Sequence, residues 1–141
     1  MTACVLDASI TGAWLFAEER TEGVLTLFRG LSDGPAVVPA LWHTETVNLL
    51  LVAERRHRIT ADTGAALLDL LGDLDIETDD DPSRAQGPVL ELARRHGLTA
   101  YDATYLDLAV RRRLPLATRD AALIRAARAL GHPVIGGPTN P

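Results

Sequence analysis

Lysine is absent from this sequence, and all 14 of its basic residues are arginines. A P-loop needs a lysine to bind phosphate, and Schiff-base and pyridoxal chemistry need one as the reacting amine. These classes of function are therefore excluded, and a receiver domain that accepts a phosphoryl group would also lack its usual lysine. Any chemistry on phosphate has to rely on other groups.

Cysteine and long apolar runs are scarce as well. Cys4 is the only cysteine, so it cannot form an internal disulfide, and we expect it in the core of a protein from a reducing compartment. The four histidines are scattered and lack the spacing of a zinc site. No apolar run approaches the ~18 residues of a membrane span, and the start of the chain lacks the pattern of a signal peptide. We therefore expect a cytoplasmic protein that does not enter a membrane.

Aromatic residues make up only 4% of the chain, too few for a platform on which bases stack. The net charge of −5 argues at first against a nucleic-acid partner, because such proteins usually have a basic surface. However, seven of the 19 acidic residues lie within residues 69–81, and the rest of the chain holds 14 arginines and 12 acids. We expect residues 69–81 to form a solvated turn around a weak edge strand, so the acidity is local.

Short β-branched runs alternate with longer helical patterns, which is typical of an α/β fold with a parallel sheet. The length of 141 residues fits one domain, which we place at residues 1–135, followed by a flexible tail at 136–141. The predicted strands lie at residues 3–6, 36–38, 75–78, 114–117 and 134–135. The predicted helices lie at residues 9–19, 22–31, 41–56, 60–71, 82–96, 102–113 and 120–130.

Four acidic residues fall where a predicted strand meets a helix: Asp7, Glu45, Asp102 and Asp120. The carboxyl ends of parallel strands meet at one edge of a sheet, where ligands bind. Four converging acids repel one another unless a divalent cation lies between them, and oxygen donors suit Mg²⁺ or Mn²⁺. Any one of the three aspartates could simply cap a helix, but four acids at one edge favour a metal site.

Five motifs in order along the chain resemble those of PIN-domain ribonucleases, and specifically the VapC-type toxins of toxin–antitoxin pairs. Residues 5–9 (VLDAS) resemble the start of that family, and residues 45–48 (ETVN) resemble its E-x-x-N helix. Residues 99–106 (TAYDATYL) resemble its Y-D-A-x-Y-L motif, and residues 116–120 (LATRD) its L-A-T-x-D motif. Residues 131–135 (GHPVI) are similar to its closing strand, so the resemblance covers nearly the whole chain.

The resemblance implies a three-layer α/β/α sandwich with a parallel sheet in the order 3-2-1-4-5. Strands one and four would then be neighbours, so that Asp7 and Asp120 face each other across the crevice. It implies Asp7 and Asp102 as direct ligands of Mg²⁺ or Mn²⁺. Glu45 and Asp120 would act through water or a second ion.

The resemblance also implies roles for residues around the acids. Ser9 and Thr118 would orient carboxylates or waters. Asn48, one helical turn after Glu45, would stabilise the same face of the helix. Arg119 departs from the family pattern and would contact a phosphate or neutralise the acids; Arg20 is the other candidate for substrate contact. Three arginine clusters, within residues 55–58, 94–95 and 111–113, fall at the C-terminal ends of predicted helices, where the helix dipole favours cations.

The resemblance implies an endoribonuclease toxin that hydrolyses RNA phosphodiesters with an activated water and without a side-chain nucleophile. Its substrate would be a structured RNA such as a tRNA or rRNA loop. Its partners would be a cognate antitoxin and a second copy of the chain, and the apolar faces around Trp14, Phe28 and Trp42 serve either these partners or the core. The alternative is a non-catalytic PIN-like module that binds RNA or protein. A phosphatase of the haloacid dehalogenase type is disfavoured, because Ser9 replaces its second aspartate and its lysine is absent.

Overall fold

A parallel β-sheet organises the part of the chain that the computed structural model describes, residues 3–31 and 34–136. Within these residues, the sheet has five strands: β1 (Cys4–Leu6), β2 (Ala36–Val38), β3 (Ile76–Thr78), β4 (Leu116–Ala117) and β5 (Val134–Ile135). Their spatial order is β3-β2-β1-β4-β5, and every neighbouring pair is parallel. The predicted strand order is confirmed, and strand order reverses between β1 and β4.

Helices connect the strands and cover the sheet in a three-layer α/β/α arrangement, as predicted. They are α1 (Ala8–Leu15), α2 (Glu22–Gly30), α3 (Leu41–Arg55), α4 (Ala61–Gly72), α5 (Leu90–His96), α6 (Ala100–Arg112) and α7 (Ala121–Ala129). Local interactions explain where some of these helices begin or end. The Thr60 hydroxyl caps α4 by accepting from the Thr63 amide, and α5 ends at Gly97 with φ of 64°, a conformation that glycine adopts at little cost.

The predicted helix over residues 9–19 is wrong in its last four residues. Helix α1 ends at Leu15, Phe16 is extended, and Ala17–Glu19 forms a 3₁₀ turn. Phe16 is buried, and the guanidinium of Arg58 lies 4.6 Å from the centre of its ring. The Arg20 side chain bonds the carbonyl of Trp14 at 2.6 Å, which satisfies one of the last acceptors of α1.

The predicted helix over residues 82–96 is also not continuous. It begins as a 3₁₀ turn at Pro82–Arg84, continues as a π-helical turn at Ala85–Val89, and becomes α-helical only from Leu90. Pro88 lies inside the π-helical turn. Proline has no amide hydrogen and crowds the preceding turn, which explains why a regular α-helix does not form here.

The sheet supplies the centre of the core. Cys4, Val5 and Leu6 of β1 have no solvent exposure, and neither do the residues of β2 and β4. Burial raises the pKa of the Cys4 thiol to about 11, as expected for an inert core cysteine. Trp42 is also buried, and the ring of Trp14 stacks on that of Phe28 with 4.4 Å between centroids. The core interpretation of these aromatic residues therefore holds for Trp42 and Phe28.

The acidic segment is less solvated than predicted. Its edge strand β3 is present, but Asp79 is bound by Arg111 at 3.0 Å and Arg112 at 2.6 Å, and Glu77 is bound by Arg112 at 3.0 Å. Arg111 and Arg112 lie in the last turn of α6, so they both oppose the helix dipole and neutralise the segment.

Two further expectations concern the ends of the chain and the membrane. Of the predicted tail at residues 136–141, only Gly136 lies within the described residues. Among the helices of residues 3–31 and 34–136, none is long and apolar enough to cross a bilayer.

Candidate active site

The four predicted acids line one cavity of about 460 Å³ at the carboxyl ends of the strands. Its walls are formed by Asp7, Ala8, Ser9, Thr44, Glu45, Asn48, Leu49, Asp102 and Asp120. The structure thus brings together Asp7, which follows β1, residues of α1, α3 and α6, and Asp120, which precedes α7. Of the predicted accessory residues, Ser9 and Asn48 also line the cavity.

The local fold explains how three aspartates reach this position. Asp7 directly follows β1, and its amide donates to Ala117 of the neighbouring strand β4 at 3.0 Å. Asp102 lies in the first turn of α6, but Thr99 is the residue that caps this helix. The Asp7 side chain forms no capping bond to α1, whereas the Asp120 carboxylate caps α7 by accepting from Leu123 at 2.9 Å. The capping interpretation therefore applies only to Asp120.

The carboxylate of Asp7 is held in one orientation by two hydroxyl groups. Ser9 donates to its Oδ2 atom at 2.6 Å, and Thr118 donates to the same atom at 2.7 Å. Each hydroxyl is itself fixed by a backbone amide, since Ser9 accepts from Arg119 at 3.2 Å and Thr118 accepts from Asp120 at 3.0 Å. Two hydroxyl groups therefore share Oδ2 as their acceptor.

Glu45 has a partner that sequence reasoning missed. It lies one turn into α3, and its Oε1 atom accepts a hydrogen bond of 2.7 Å from the Tyr105 hydroxyl on α6. Tyr105 has no solvent exposure. In the sequence, Tyr105 is an aromatic residue at core spacing, and no pattern indicates which polar group its hydroxyl reaches.

A second missed contact joins α3 to the segment that carries Asp7. The indole nitrogen of Trp42 donates to the Thr11 hydroxyl at 3.1 Å, and this hydroxyl donates to the Asp7 carbonyl at 3.1 Å. Thr11 is fully buried and Trp42 nearly so. A buried polar chain of this kind restrains both elements, because breaking it leaves polar groups without partners.

The charged forms of three of the four acids are disfavoured, as their raised pKa values show. Burial raises the pKa of Asp102 to about 6, and repulsion from Asp120, Asp7 and Glu45 adds to this effect. Burial also raises the pKa of Asp7, against the hydrogen bonds that favour its charged form, and raises the pKa of Glu45 despite its bond from tyrosine. In the described part of the chain, the residues that line the cavity include no cationic side chain.

This donor set fits a hard divalent cation. The side chains that could bind an ion here are four carboxylates and the amide of Asn48, and none of the described residues that line the cavity is cationic. Within residues 3–31 and 34–136, no three Asp, Glu, His or Cys side chains stand close enough to enclose an ion by themselves. Mg²⁺ is commonly held by one or two carboxylates and several waters rather than by a complete protein cage, so the open arrangement is compatible with it.

The two predicted substrate contacts lie outside the cavity walls. Arg119 donates from its side chain to the Glu19 carbonyl at 3.4 Å, which links β4 to the 3₁₀ turn after α1. Arg20 is directed to the carbonyls of Trp14 and Leu15 at the end of α1. Both arginines are therefore engaged in shaping the loop beside the site.

Solved structures share this fold. The chain is similar to PAE2754 from Pyrobaculum aerophilum, with 24% identity and a TM-score of 0.69 over 89% of this chain and 79% of that one. It is similar to FitAcB from Neisseria gonorrhoeae, with 19% identity and a TM-score of 0.67 over 94% of this chain and 96% of that one. A comparison with curated proteins found no match.

A sequence model of the PIN domain matches residues 4–129, which include all four acids of the cavity. PIN domains are typically nucleases and generally use divalent metal ions. With this match and the shared fold, the chain belongs to the PIN domain family.

Proposed function

We propose that this chain is an endoribonuclease that depends on Mg²⁺ or Mn²⁺ and acts as the toxin of a toxin–antitoxin pair. One observation carries the nuclease part of the proposal: Asp7, Glu45, Asp102 and Asp120 line a single cavity at the switch point of the sheet. A cavity lined by carboxylates repels the phosphates of RNA unless cations are bound. Metal and substrate would therefore bind together.

The roles of the acids follow from their surroundings. Asp7 and Asp102, which both line the cavity, would hold the ion directly. Glu45 and Asp120 would hold waters, and Asn48, which lines the same wall, would orient them. A bound divalent cation supplies an activated water at neutral pH and neutralises charge on the phosphodiester. Ser9 and Thr118 keep the Asp7 carboxylate from rotating away.

The proposed substrate and partners are supported by the VapC-like sequence motifs, and not by any contact in the described structure. The proposal includes a structured RNA substrate, a cognate antitoxin, a homodimer and action in the cytoplasm. Arg119 and Arg20 lie outside the cavity walls, and they would contact phosphates of the RNA with the guanidinium N–H groups that do not bond backbone carbonyls. Sequencing of 5′-phosphate RNA ends after expression without the antitoxin should identify the target. A protein encoded by a short reading frame beside this one should suppress those ends when it is co-expressed.

The nuclease is tested with purified protein and structured RNA. We expect cleavage with Mg²⁺ or Mn²⁺, no cleavage with excess chelator, and at least about a 100-fold loss in Asp7→Asn, since even groups behind a ligand contribute 10- to 100-fold. Asp69→Asn, which changes an exposed acid on α4, is the matched control and should retain full activity. Cleavage that persists with chelator and in Asp7→Asn would overturn the proposal. Absence of cleavage in wild type with either ion would favour the non-catalytic module.

A further inference from the structure

The hydroxyl of Tyr105 joins two helices at the wall of the active-site cavity. Tyr105 comes from α6 and Glu45 from α3, and the two residues are 60 positions apart in sequence. Their hydrogen bond of 2.7 Å is short enough to be strong, as expected for a hydroxyl that donates to a carboxylate. The hydrogen bond is therefore a tertiary contact between α6 and α3 rather than a contact within one helix.

The Tyr105 ring lies in the apolar core, whereas its hydroxyl lies within reach of polar groups, namely Glu45 and the backbone of Ala8. Its side chain is fully buried among the apolar residues of the core, where the hydroxyl is costly unless it is bonded. If this position required only an aromatic ring for packing, phenylalanine would suffice, or the tyrosine hydroxyl could donate to a backbone carbonyl. Here it is directed at one of the four acids of the cavity instead.

The position of the bond on Glu45 is also informative. The phenol hydrogen occupies Oε1, so that Oε2 remains for a cation or water in the cavity. Glutamate has one more rotatable bond than aspartate, and a free Glu45 side chain would sample several rotamers. Ser9 and Thr118 restrain Asp7 in a similar manner, because both hydroxyls donate to one of its carboxylate oxygens.

We propose that Tyr105 is a positioning residue that fixes the Glu45 carboxylate in the orientation required to bind the divalent cation or its water. The proposal rests on the metal-dependent nuclease proposed above. Helix α6 then serves the site twice, because it presents Asp102 directly and orients Glu45 through the tyrosine one turn later.

The test compares Tyr105→Phe with Tyr101→Phe, which removes the same hydroxyl from the exposed tyrosine of the same helix. The dissociation constant of Mn²⁺ is measured by titration calorimetry, together with kcat and KM for RNA. We expect Tyr105→Phe to weaken Mn²⁺ binding by about tenfold and to lower kcat while KM for RNA is unchanged, as is usual for groups that orient metal ligands. Tyr101→Phe should bind Mn²⁺ as wild type does.

A double-mutant cycle with Glu45→Ala, which removes the acceptor of the Tyr105 hydroxyl, distinguishes positioning from a general loss of structure. If Tyr105 acts through Glu45, adding Tyr105→Phe to Glu45→Ala should cause little further loss of Mn²⁺ affinity. A loss of the same size in both backgrounds, or wild-type Mn²⁺ affinity in Tyr105→Phe, would overturn this inference while leaving the nuclease intact. Failure of the wild-type protein to bind Mn²⁺ and cleave RNA would instead overturn the proposed function, and the inference with it.

Discussion

The two ends of helix α6 place acidic side chains in opposite electrostatic environments. At its first turn, Asp102 faces the other carboxylates of the cavity, and burial and repulsion raise its pKa to about 6. At its last turn, Arg111 and Arg112 bind Asp79, and these hydrogen bonds hold the pKa of its carboxyl below the ordinary value. The charged form of aspartate is thus disfavoured at one end of the helix and favoured at the other.

This difference separates an acid that stabilises the fold from the acids that we propose bind a metal ion. The chain has arginines enough to neutralise Asp79, yet none of the residues that line the cavity in the described structure is cationic. Leaving acids close together and unpaired weakens the folded state, and such local conflicts are most often found at functional sites. The comparison therefore predicts that neutralising an acid has opposite effects on stability at the two ends.

The largest change in stability is expected at the last turn of α6, where Asp79 is bound by two arginines. Asp79→Ala should lower the free energy of unfolding by ~2 kcal/mol, because it removes the acceptor for two half-buried arginines. Chemical denaturation measures this change, and the proposed cleavage of RNA should be unaffected in the folded protein. Asp80→Ala is the matched control, since its exposed neighbouring side chain should contribute less than about 0.5 kcal/mol. Equal stability of Asp79→Ala and wild type would show that the ion pairs contribute nothing.

A smaller change in the free energy of unfolding, of opposite sign, is expected at the cavity in the absence of metal. Asp102→Asn should raise the free energy of unfolding by ~1 kcal/mol without metal, because it removes one of the mutually repelling charges. The same change should abolish the stabilisation by Mn²⁺, which we expect to reach ~2.7 kcal/mol for wild type at 100 times the dissociation constant. Thermal melts with and without Mn²⁺ test both effects. A variant less stable than wild type without metal would contradict the interpretation of the cavity as electrostatically unbalanced.

The strand order and the meeting of the four acids could be predicted from the sequence. Each strand is a short apolar run, and the acids lie at or just after strand ends or in the first turns of helices. Once the sheet is parallel, those positions lie at one edge. The motif resemblance then supplied the order of strands, which periodicity does not determine.

The contacts that orient the acids could not be predicted in this way. Tyr105 and Trp42 follow core spacing, which indicates that a side chain is buried but not which group its polar atom reaches. Their partners lie 60 and 31 positions away. The break at Phe16 has the same origin, because a helical period averages over several residues and does not detect one residue that leaves the helix. The break at Pro88 could have been predicted, because a proline inside a helical pattern interrupts the helix.

The smallest effect concerns the pH dependence of stability without divalent ions. The folded protein takes up a proton on Asp102 near pH 6, whereas an unfolded chain does so near the ordinary value of 3.8, so stability should rise as the pH falls from 7 toward 5. Asp79 adds no slope in this range, since its lowered pKa means that its stabilisation is lost only below 3.8. Asp102→Asn should reduce the slope, and Mn²⁺ should reverse it, because the proton and the cation compete for the same oxygens. Denaturant titrations at pH 5, 6 and 7 measure the slope; equal slopes in wild type and Asp102→Asn would show that the raised pKa of Asp102 does not affect folding.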